Sequence, residues 1–172
     1  MFLDQLFKKA LSGVALIFAV AVLLKMSETF AAIDTINLDD SPSQKFTLAG
    51  TKVETHIKGG SFKWDPTKIS LYLSRQQKNG KKIDGYDLYW ELQGKSVFNV
   101  NLLEYLYSHQ ELIPNDWKNK KIVFFWGTTY RDTDTGLWVP GLSWFNNGWG
   151  VVHTRFDSYW DESMPTVVLA KT

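Results

Sequence analysis

The pattern of residues 122–170 constrains the fold of this chain more than any other feature. Strand-like segments, rich in β-branched and aromatic residues, occupy residues 122–130, 137–144, 149–156 and 166–170. Asp132 to Gly136 has turn composition, Asn146-Asn147-Gly148 is a hairpin signal, and residues 157–164 are loop-like. Because consecutive strands joined by short turns pair antiparallel, this pattern predicts an antiparallel β meander.

The first half of the chain begins with short elements. Residues 46–57 alternate loosely around a glycine, as two short strands joined by a turn would. Asp65-Pro66 is a helix-start signal and predicts a helix that ends near Ser74. Residues 69–73 also alternate as a strand would, so the strand alternative stays open here.

Two further helices are predicted over residues 84–94 and 99–109. Gly94 is a stop signal for the first helix. In the second, Asn101 and Glu104 have the spacing of a capping box, and His109 suits the C-terminal end of the helix dipole. Helices in the first half and a meander in the second predict an α+β fold.

Residues 1–31 have the composition of a targeting segment. Lys8 and Lys9 precede the uncharged apolar run Ala10 to Leu24, and a small residue follows at Ala31, which is typical of a secretory signal. An uncleaved membrane anchor is the alternative, although this run is shorter than the about 20 residues that a spanning helix needs. We therefore expect an exported protein (periplasmic, cell-surface or extracellular) that meets the membrane only through this segment. The polar residues 32–44 are predicted to be a linker and residues 45–172 a single α+β domain.

Composition excludes several classes of protein. Hydrophobic residues make up 44% of the chain and aromatic residues 15%, which rules out a disordered protein. The absence of cysteine removes disulfides, cysteine-based zinc sites and thiol nucleophiles. The formal net charge of +1 argues against nucleic-acid binding, because a basic face is needed to meet phosphates.

No residue pattern indicates a catalytic or metal site. The three histidines lack the spacing of metal ligands. The acidic turn that begins at Asp132 lacks the later glutamate of a calcium loop, so we interpret it as a hairpin turn. Glu91 and Glu104 lie on predicted helices and are expected on solvated faces. The sequence therefore favours a binding protein over an enzyme, with a secreted hydrolase kept as an alternative, and predicts no metal and no cofactor.

The second half of the chain has the composition of a binding surface. No lysine lies between Ile122 and Ala170, and five of the eight tryptophans lie in residues 122–172. The cores of protein interfaces are poor in lysine and glutamate, and paratopes combine rigid aromatic side chains with asparagine, serine and glycine. Trp126, inside the first strand, is expected in the core, whereas the other four cannot all fit inside one small sheet.

The chain resembles a group of uncharacterised bacterial proteins with a tryptophan-rich C-terminal domain. The resemblance rests on Phe62 to Lys68 with Leu71 to Ser74, on Glu111 to Pro114 with Trp117-Lys118, and on Phe125 to Asp134 with Leu137, Val139, Leu142 and Trp144. That group is similar to the variable proteins of diversity-generating retroelements, in which an error-prone reverse transcriptase rewrites the 3′ end of a gene at template adenines. The resemblance implies a C-type-lectin-like fold that displays the changed side chains to ligands. The leader, Trp138 and Pro140 depart from the group's pattern.

One property of the sequence is consistent with such rewriting. Adenine-directed change of asparagine codons cannot reach lysine, glutamate, glutamine, methionine or tryptophan, and the adenine-free tryptophan codon persists. From Val139 to Asp161 every residue is either tryptophan or within the reachable set. Lysine and glutamate are among the commonest residues of proteins, so their joint absence from this segment is informative.

These observations predict a ligand-binding display domain whose partner is an unknown protein or glycan. The expected contact residues are Leu142, Ser143, Phe145, Asn146, Asn147, Val151, His153, Arg155, Asp157, Ser158 and Tyr159. The expected framework residues are Trp126, Trp144, Trp149 and Trp160. The alternatives are a fixed carbohydrate- or peptidoglycan-binding module, an envelope structural protein and, with least support, a secreted hydrolase.

Overall fold

The structure, a computed structural model, describes residues 35–170, and the leader predicted over residues 1–31 lies outside them. The strands are β1 (Thr35–Asn37), β2 (Lys52–His56), β3 (Ser61–Lys63), β4 (Ile69–Tyr72), β5 (Ile83–Asp84), β6 (Val123–Phe124), β7 (Thr128–Arg131), β8 (Leu137–Phe145), β9 (Gly148–Arg155), β10 (Tyr159–Trp160) and β11 (Thr166–Leu169). The α-helices of the described residues are α1 (Gly85–Glu91) and α2 (Val100–Ser108). Helices combined with a mostly antiparallel sheet confirm the α+β class.

The main sheet has seven strands and is organised around β8. The order is β2-β7-β8-β6-β11-β4, and β9 pairs with β8 along its other edge. β7 pairs with the start of β8 and β6 with its second half, so both lie on the edge opposite β9. Two small antiparallel pairs, β1 with β3 and β5 with β10, flank the main sheet.

Both faces of the main sheet are covered by apolar side chains. On one face, α2 and the N-terminal segment pack around Leu142, Val123 and Trp149. On the other face, α1 packs against Trp126 and Trp160. With a core on each side, the strands of this sheet lack a simple alternation of buried and exposed residues.

Side-chain caps fix the starts of both helices. The Asp84 carboxylate accepts a hydrogen bond from the backbone N–H of Tyr86 at 2.8 Å and begins α1. Asn99 caps α2 by accepting from the N–H of Asn101 at 3.1 Å. Asn101 is therefore inside the helix, and the predicted capping box with Glu104 is not formed. Glu104 instead accepts from the backbone N–H of Ser43 at 3.0 Å and ties the N-terminal segment to α2.

The predicted helix over residues 65–74 is a second correction. Asp65 caps only a 3-10 turn, Pro66–Lys68, and the chain then extends as β4. β4 pairs antiparallel with β11, so long-range pairing overrides the local helix-start signal. Within residues 35–170 no helix has the length and apolar character to cross a membrane.

Two further segments differ from what the sequence predicts. The single strand predicted over residues 122–130 is divided into β6 and β7, because Gly127 turns the chain and its N–H donates to the Phe98 carbonyl at 2.9 Å. Within the predicted linker 32–44, residues 35–37 form β1, and Ile36 and Leu38 are buried in the first core.

Candidate functional site

The candidate site is built on the hairpin of β8 and β9. The two strands pair without interruption from Trp138 with Arg155 to Phe145 with Gly148. Asn146 and Asn147 form the two-residue connection with φ angles of 49° and 61°. Two successive left-handed residues define the type I′ turn, whose twist matches that of the flanking strands. The predicted hairpin and its turn residues are therefore confirmed.

The predicted contact residues at the turn form one exposed cluster, here called the tip group (Ser143, Phe145, Asn146 and Asn147). Phe145 is 53% exposed, and its ring lies over Gly150, where an added Cβ would be 2.4 Å from Cε1 of the ring. The Ser143 hydroxyl donates to the Lys121 carbonyl at 2.7 Å, which fixes its side chain. The tip group thus offers one large aromatic ring beside small polar side chains.

Three predicted contact residues lie in the middle of the hairpin, and the structure corrects their role. Leu142 is fully buried in the first core, so it cannot touch a ligand. Val151 is its register partner and packs partly buried on the same face. His153 is half-buried, is in edge contact with the Tyr130 ring, and shares a hydrogen bond with the Phe46 carbonyl at 3.0 Å. Burial lowers the pKa of His153, so the neutral ring with Nε2–H donating fits this position.

The remaining predicted contact residues form a second cluster at the far end of β9, here called the distal group (Arg155, Asp157, Ser158 and Tyr159). β9 has eight residues, so at about 3.3 Å per residue roughly 23 Å of strand separates the two groups. Tyr159 is 70% exposed and lies opposite Asp84 in the pairing of β10 with β5. In a single chain the two groups are therefore separate surfaces.

Arg155 is the organising residue of the distal group. Its guanidinium contacts the carboxylates of Asp132 at 3.8 Å and Asp157 at 3.2 Å, and it lies 5.5 Å from the ring centroid of Trp138. Its Nε has no hydrogen-bond partner among the described residues. The distal group therefore combines the Arg155 cation, the exposed Asp157 carboxylate and the exposed Tyr159 ring within a short stretch of chain.

Asp132 begins the hairpin turn that its sequence predicts. Its carboxylate accepts from the N–H groups of Asp134 at 3.0 Å and Gly136 at 2.7 Å, and from Nε1 of Trp138 at 2.8 Å. The Trp138 hydrogen bond above all lowers the pKa of Asp132. Thr135, and not Gly136, takes the positive φ, at 66°. Within residues 35–170 no cluster of acidic and histidine side chains has the geometry to hold a metal ion.

The tryptophans of the hairpin region divide between scaffold and surface. Trp126 and Trp160 are buried in the second core with ring centroids 4.9 Å apart, and Trp149 is buried in the first. Trp144 is half-exposed, and the ammonium of Lys118 lies 4.3 Å from its ring centroid. Of the four framework residues, three are therefore core and Trp144 borders the solvent.

The most exposed tryptophan of the described residues was not among the predicted site residues. Trp90 on α1 is 70% exposed, and Tyr86, one helical turn before it, is 42% exposed. Both lie on the helix that covers the second core, and Tyr86 contacts the buried Phe156 at 5.5 Å between ring centroids. The helical spacing of four residues is the signal that identifies this exposed aromatic pair.

Glu91 does not lie on a solvated face as predicted. It is half-buried and accepts hydrogen bonds from the hydroxyls of Tyr72 and Ser74, the latter at 2.7 Å. Burial, together with Glu91, raises the pKa of Tyr72 to about 12, which keeps the phenol protonated as donor. Glu104 is also half-buried, and burial raises its pKa. Each carboxylate joins a helix to an extended segment.

Neither contact group lines any of three clefts in the described part of the chain. Three clefts of about 390, 400 and 780 Å³ lie beside β4 and Trp117, beside α2 and Asp40, and beside Lys95 and Leu169. None of the predicted contact residues lines them, so the candidate surfaces are open turns. Open surfaces of this kind suit macromolecular ligands better than small molecules, which bind in concave sites.

Comparison with protein-family models, with curated protein sequences and with solved structures gives no match for this chain.

Proposed function

We propose that this chain is an exported ligand-binding display domain, in which a fixed scaffold carries exposed, diversified turns of the β8–β9 region. The observation that carries the proposal is a division of side chains over residues 139–161. Trp149 and Trp160 are buried, whereas Phe145 and Tyr159 are 53% and 70% exposed. Rewriting at adenines leaves tryptophan codons unchanged, so the buried rings of Trp149 and Trp160 are ones that such a mechanism preserves.

Burial also excludes several side chains of residues 139–161 from contact with a ligand. Leu142 and Val151 belong to the first core, and His153 is half-buried against the N-terminal segment. Replacing buried groups creates cavities or unpaired polar atoms, which are among the most destabilising changes. The display surface in this proposal consists of the tip and distal groups alone, on a domain of C-type-lectin-like type.

The first experiment is deep sequencing of the gene across many cells, together with several kilobases of downstream DNA. We expect substitutions confined to adenine-derived positions in codons 139–161, and a near-identical repeat beside a reverse-transcriptase gene. An invariant 3′ end without a repeat overturns the diversification.

A protein-level experiment tests the scaffold. Libraries randomised at Phe145 and Tyr159 should retain protease resistance in most members, whereas libraries at Leu142 and Trp160 should lose it. Equal sensitivity at all four positions contradicts the proposed division between surface and scaffold.

A fixed glycan-binding module is the second candidate, and one specific observation favours it. Trp90 and Tyr86 present exposed aromatic side chains one helical turn apart on α1, and sugar rings stack on such apolar faces. A glycan-array signal that Trp90→Ala abolishes, and that Phe145→Ala leaves intact, would support this module. A signal with the reverse dependence would assign glycan binding to the display surface.

A further inference from the structure

The outer edge of β9 is a free hydrogen-bonding edge. The N–H of Phe156 donates to the Leu137 carbonyl at 2.9 Å, which fixes the alternation of the β8–β9 ladder. Residues 148, 150, 152 and 154 therefore bond to β8, and the backbone groups of Trp149, Val151 and His153 point away. Among residues 35–170 these outward N–H and C=O groups have no hydrogen-bond partner.

The other two edges of the main sheet carry the usual protections against strand pairing. β2 has Lys52, Glu54 and a register shift between Val53 and Thr55. β4 is only four residues long. Charged residues, bulges and short length are the devices by which natural sheets avoid edge-to-edge association. β9 is eight residues long, is unbroken, and contains neither lysine nor proline.

We propose that β9 pairs antiparallel with β9 of a second copy of this chain, with Val152 on the two-fold axis. In this register, each residue of β9 whose backbone groups point away from β8 has a pairing partner in the second copy. Trp149 lies opposite Arg155 of the second copy, and Val151 lies opposite His153. Closed two-fold pairing satisfies both edges at once and leaves no further edge at this position.

The charges of the strand fit this register. Arg155 is the one charged residue of β9, and it stands opposite a neutral tryptophan in the pairing. Registers that place the two arginines opposite each other are disfavoured by repulsion between like charges. The formal net charge of +1 leaves little overall repulsion between two copies.

The pairing has a consequence for the display surface, and this part rests on the proposed function. Continuing the register beyond the strands places Asn147 opposite Asp157 of the second copy and Asn146 opposite Ser158. The tip group of each chain then adjoins the distal group of the other. The two groups, roughly 23 Å apart in one chain, form two composite surfaces in the dimer.

Cysteine cross-linking of the full chain tests the register, because the native sequence has no cysteine. In Val152→Cys the two sulfurs face each other across the axis, in a non-hydrogen-bonded pair with about 4.5 Å between Cα atoms, which suits a disulfide. Thr154→Cys is the matched control, since it is half-exposed on the same face but opposes Gly150 of the second copy. We expect oxidation to give a covalent dimer with V152C and little with T154C. Equal yields, or no dimer with V152C, overturn the register.

Sedimentation of charge variants tests the association itself. The wild-type chain should sediment as a dimer, Val152→Lys and Val152→Glu each as a monomer, and an equal mixture of the two as a dimer again. A wild-type chain that is monomeric at every concentration overturns the pairing. The pairing is overturned in the same way if the chain stays monomeric because an extended peptide, and not a second copy, occupies the edge of β9.

A mixed cross-link tests the composite surface. Asn146→Cys and Ser158→Cys chains, mixed and treated with a short thiol-reactive linker, should join, whereas Asn146→Cys alone should not. An absence of the mixed link overturns the composite surface. If sequencing shows an invariant gene while the chain still dimerises, the proposed function is overturned and the pairing of β9 stands.

Discussion

Trp144 and Trp149 face each other across the β8–β9 ladder as register partners, with ring centroids 5.4 Å apart and planes inclined at 67°. Trp149 is buried against the first core, while Trp144 is half-exposed beneath the ammonium of Lys118. One edge-to-face pair thus joins the core of the domain to the side of the hairpin near its turn. The two rings make unequal contributions to stability, which leads to the first prediction.

Trp149→Ala should lower the free energy of unfolding by about 3–5 kcal/mol, the usual range for removing a buried aromatic side chain. Trp144→Ala should lower it less, because part of that ring already faces water. Urea denaturation followed by circular dichroism measures both. Trp90→Ala, at a site that is 70% exposed, is the control and should change stability by no more than about 0.5 kcal/mol.

The type I′ turn predicts a strong dependence on residue type at Asn147. Asn147→Gly should maintain or raise stability, since glycine adopts a positive φ without strain and Asn-Gly is the preferred I′ pair. Asn147→Val should lower it by roughly 1–2 kcal/mol, because a left-handed conformation brings Cβ against the backbone carbonyl. Thermal denaturation of the two variants checks this. Equal melting temperatures would show that the turn is not held in the I′ form.

Glu91 predicts an energetic coupling between α1 and the segment around Ser74. Glu91→Ala leaves the hydroxyls of Tyr72 and Ser74 without their acceptor, and we expect a loss of about 1–3 kcal/mol. A double-mutant cycle with Ser74→Ala measures the coupling by urea denaturation. Additive effects of the two changes would contradict the shared hydrogen bond.

His153 predicts a dependence of stability on pH. Burial lowers its pKa in the folded chain, so the unfolded chain takes up the proton first as pH falls. The free energy of unfolding should therefore decrease as pH falls below about 6.5, until the folded pKa is passed. Urea denaturation of the wild type and His153→Gln across this range gives the difference between the two curves. The pKa of His56 is lowered in both chains, so only that difference tests His153, and parallel curves contradict the prediction.

Local signals in the sequence predicted much of the hairpin and both helices. The Asn146-Asn147 turn and, to within one residue, the ranges of β8 and β9 are set by short-range backbone preferences, which are legible in sequence. α1 ends at Glu91, before the predicted stop at Gly94, which takes a left-handed φ of 79°. The helix predicted after Asp65 failed for the opposite reason. β4 is extended, as the alternation of residues 69–73 allowed, because it pairs with β11 almost one hundred residues later, and that distant partner is what decides between helix and strand.

The assignment of side chains to surface or core was harder to predict. Leu142 and Phe145 are both apolar and lie three residues apart in β8, yet Leu142 is fully buried and Phe145 is 53% exposed. Because both faces of the sheet carry a core, hydrophobicity does not reveal which way a residue points. Trp90 shows the converse case, since a tryptophan on an apolar helix is expected inside and this one is exposed.

The two arginines of the β7–β9 region have a practical consequence. Arg131 ends β7 and Arg155 ends β9, and no lysine lies between them. Trypsin therefore releases the whole hairpin, residues 132–155, as one peptide from every chain that keeps Arg155 and gains no new arginine. In a mixed population of such chains, mass spectrometry of that peptide would detect the sequence variants of the tip group in the protein itself, without any reading of DNA.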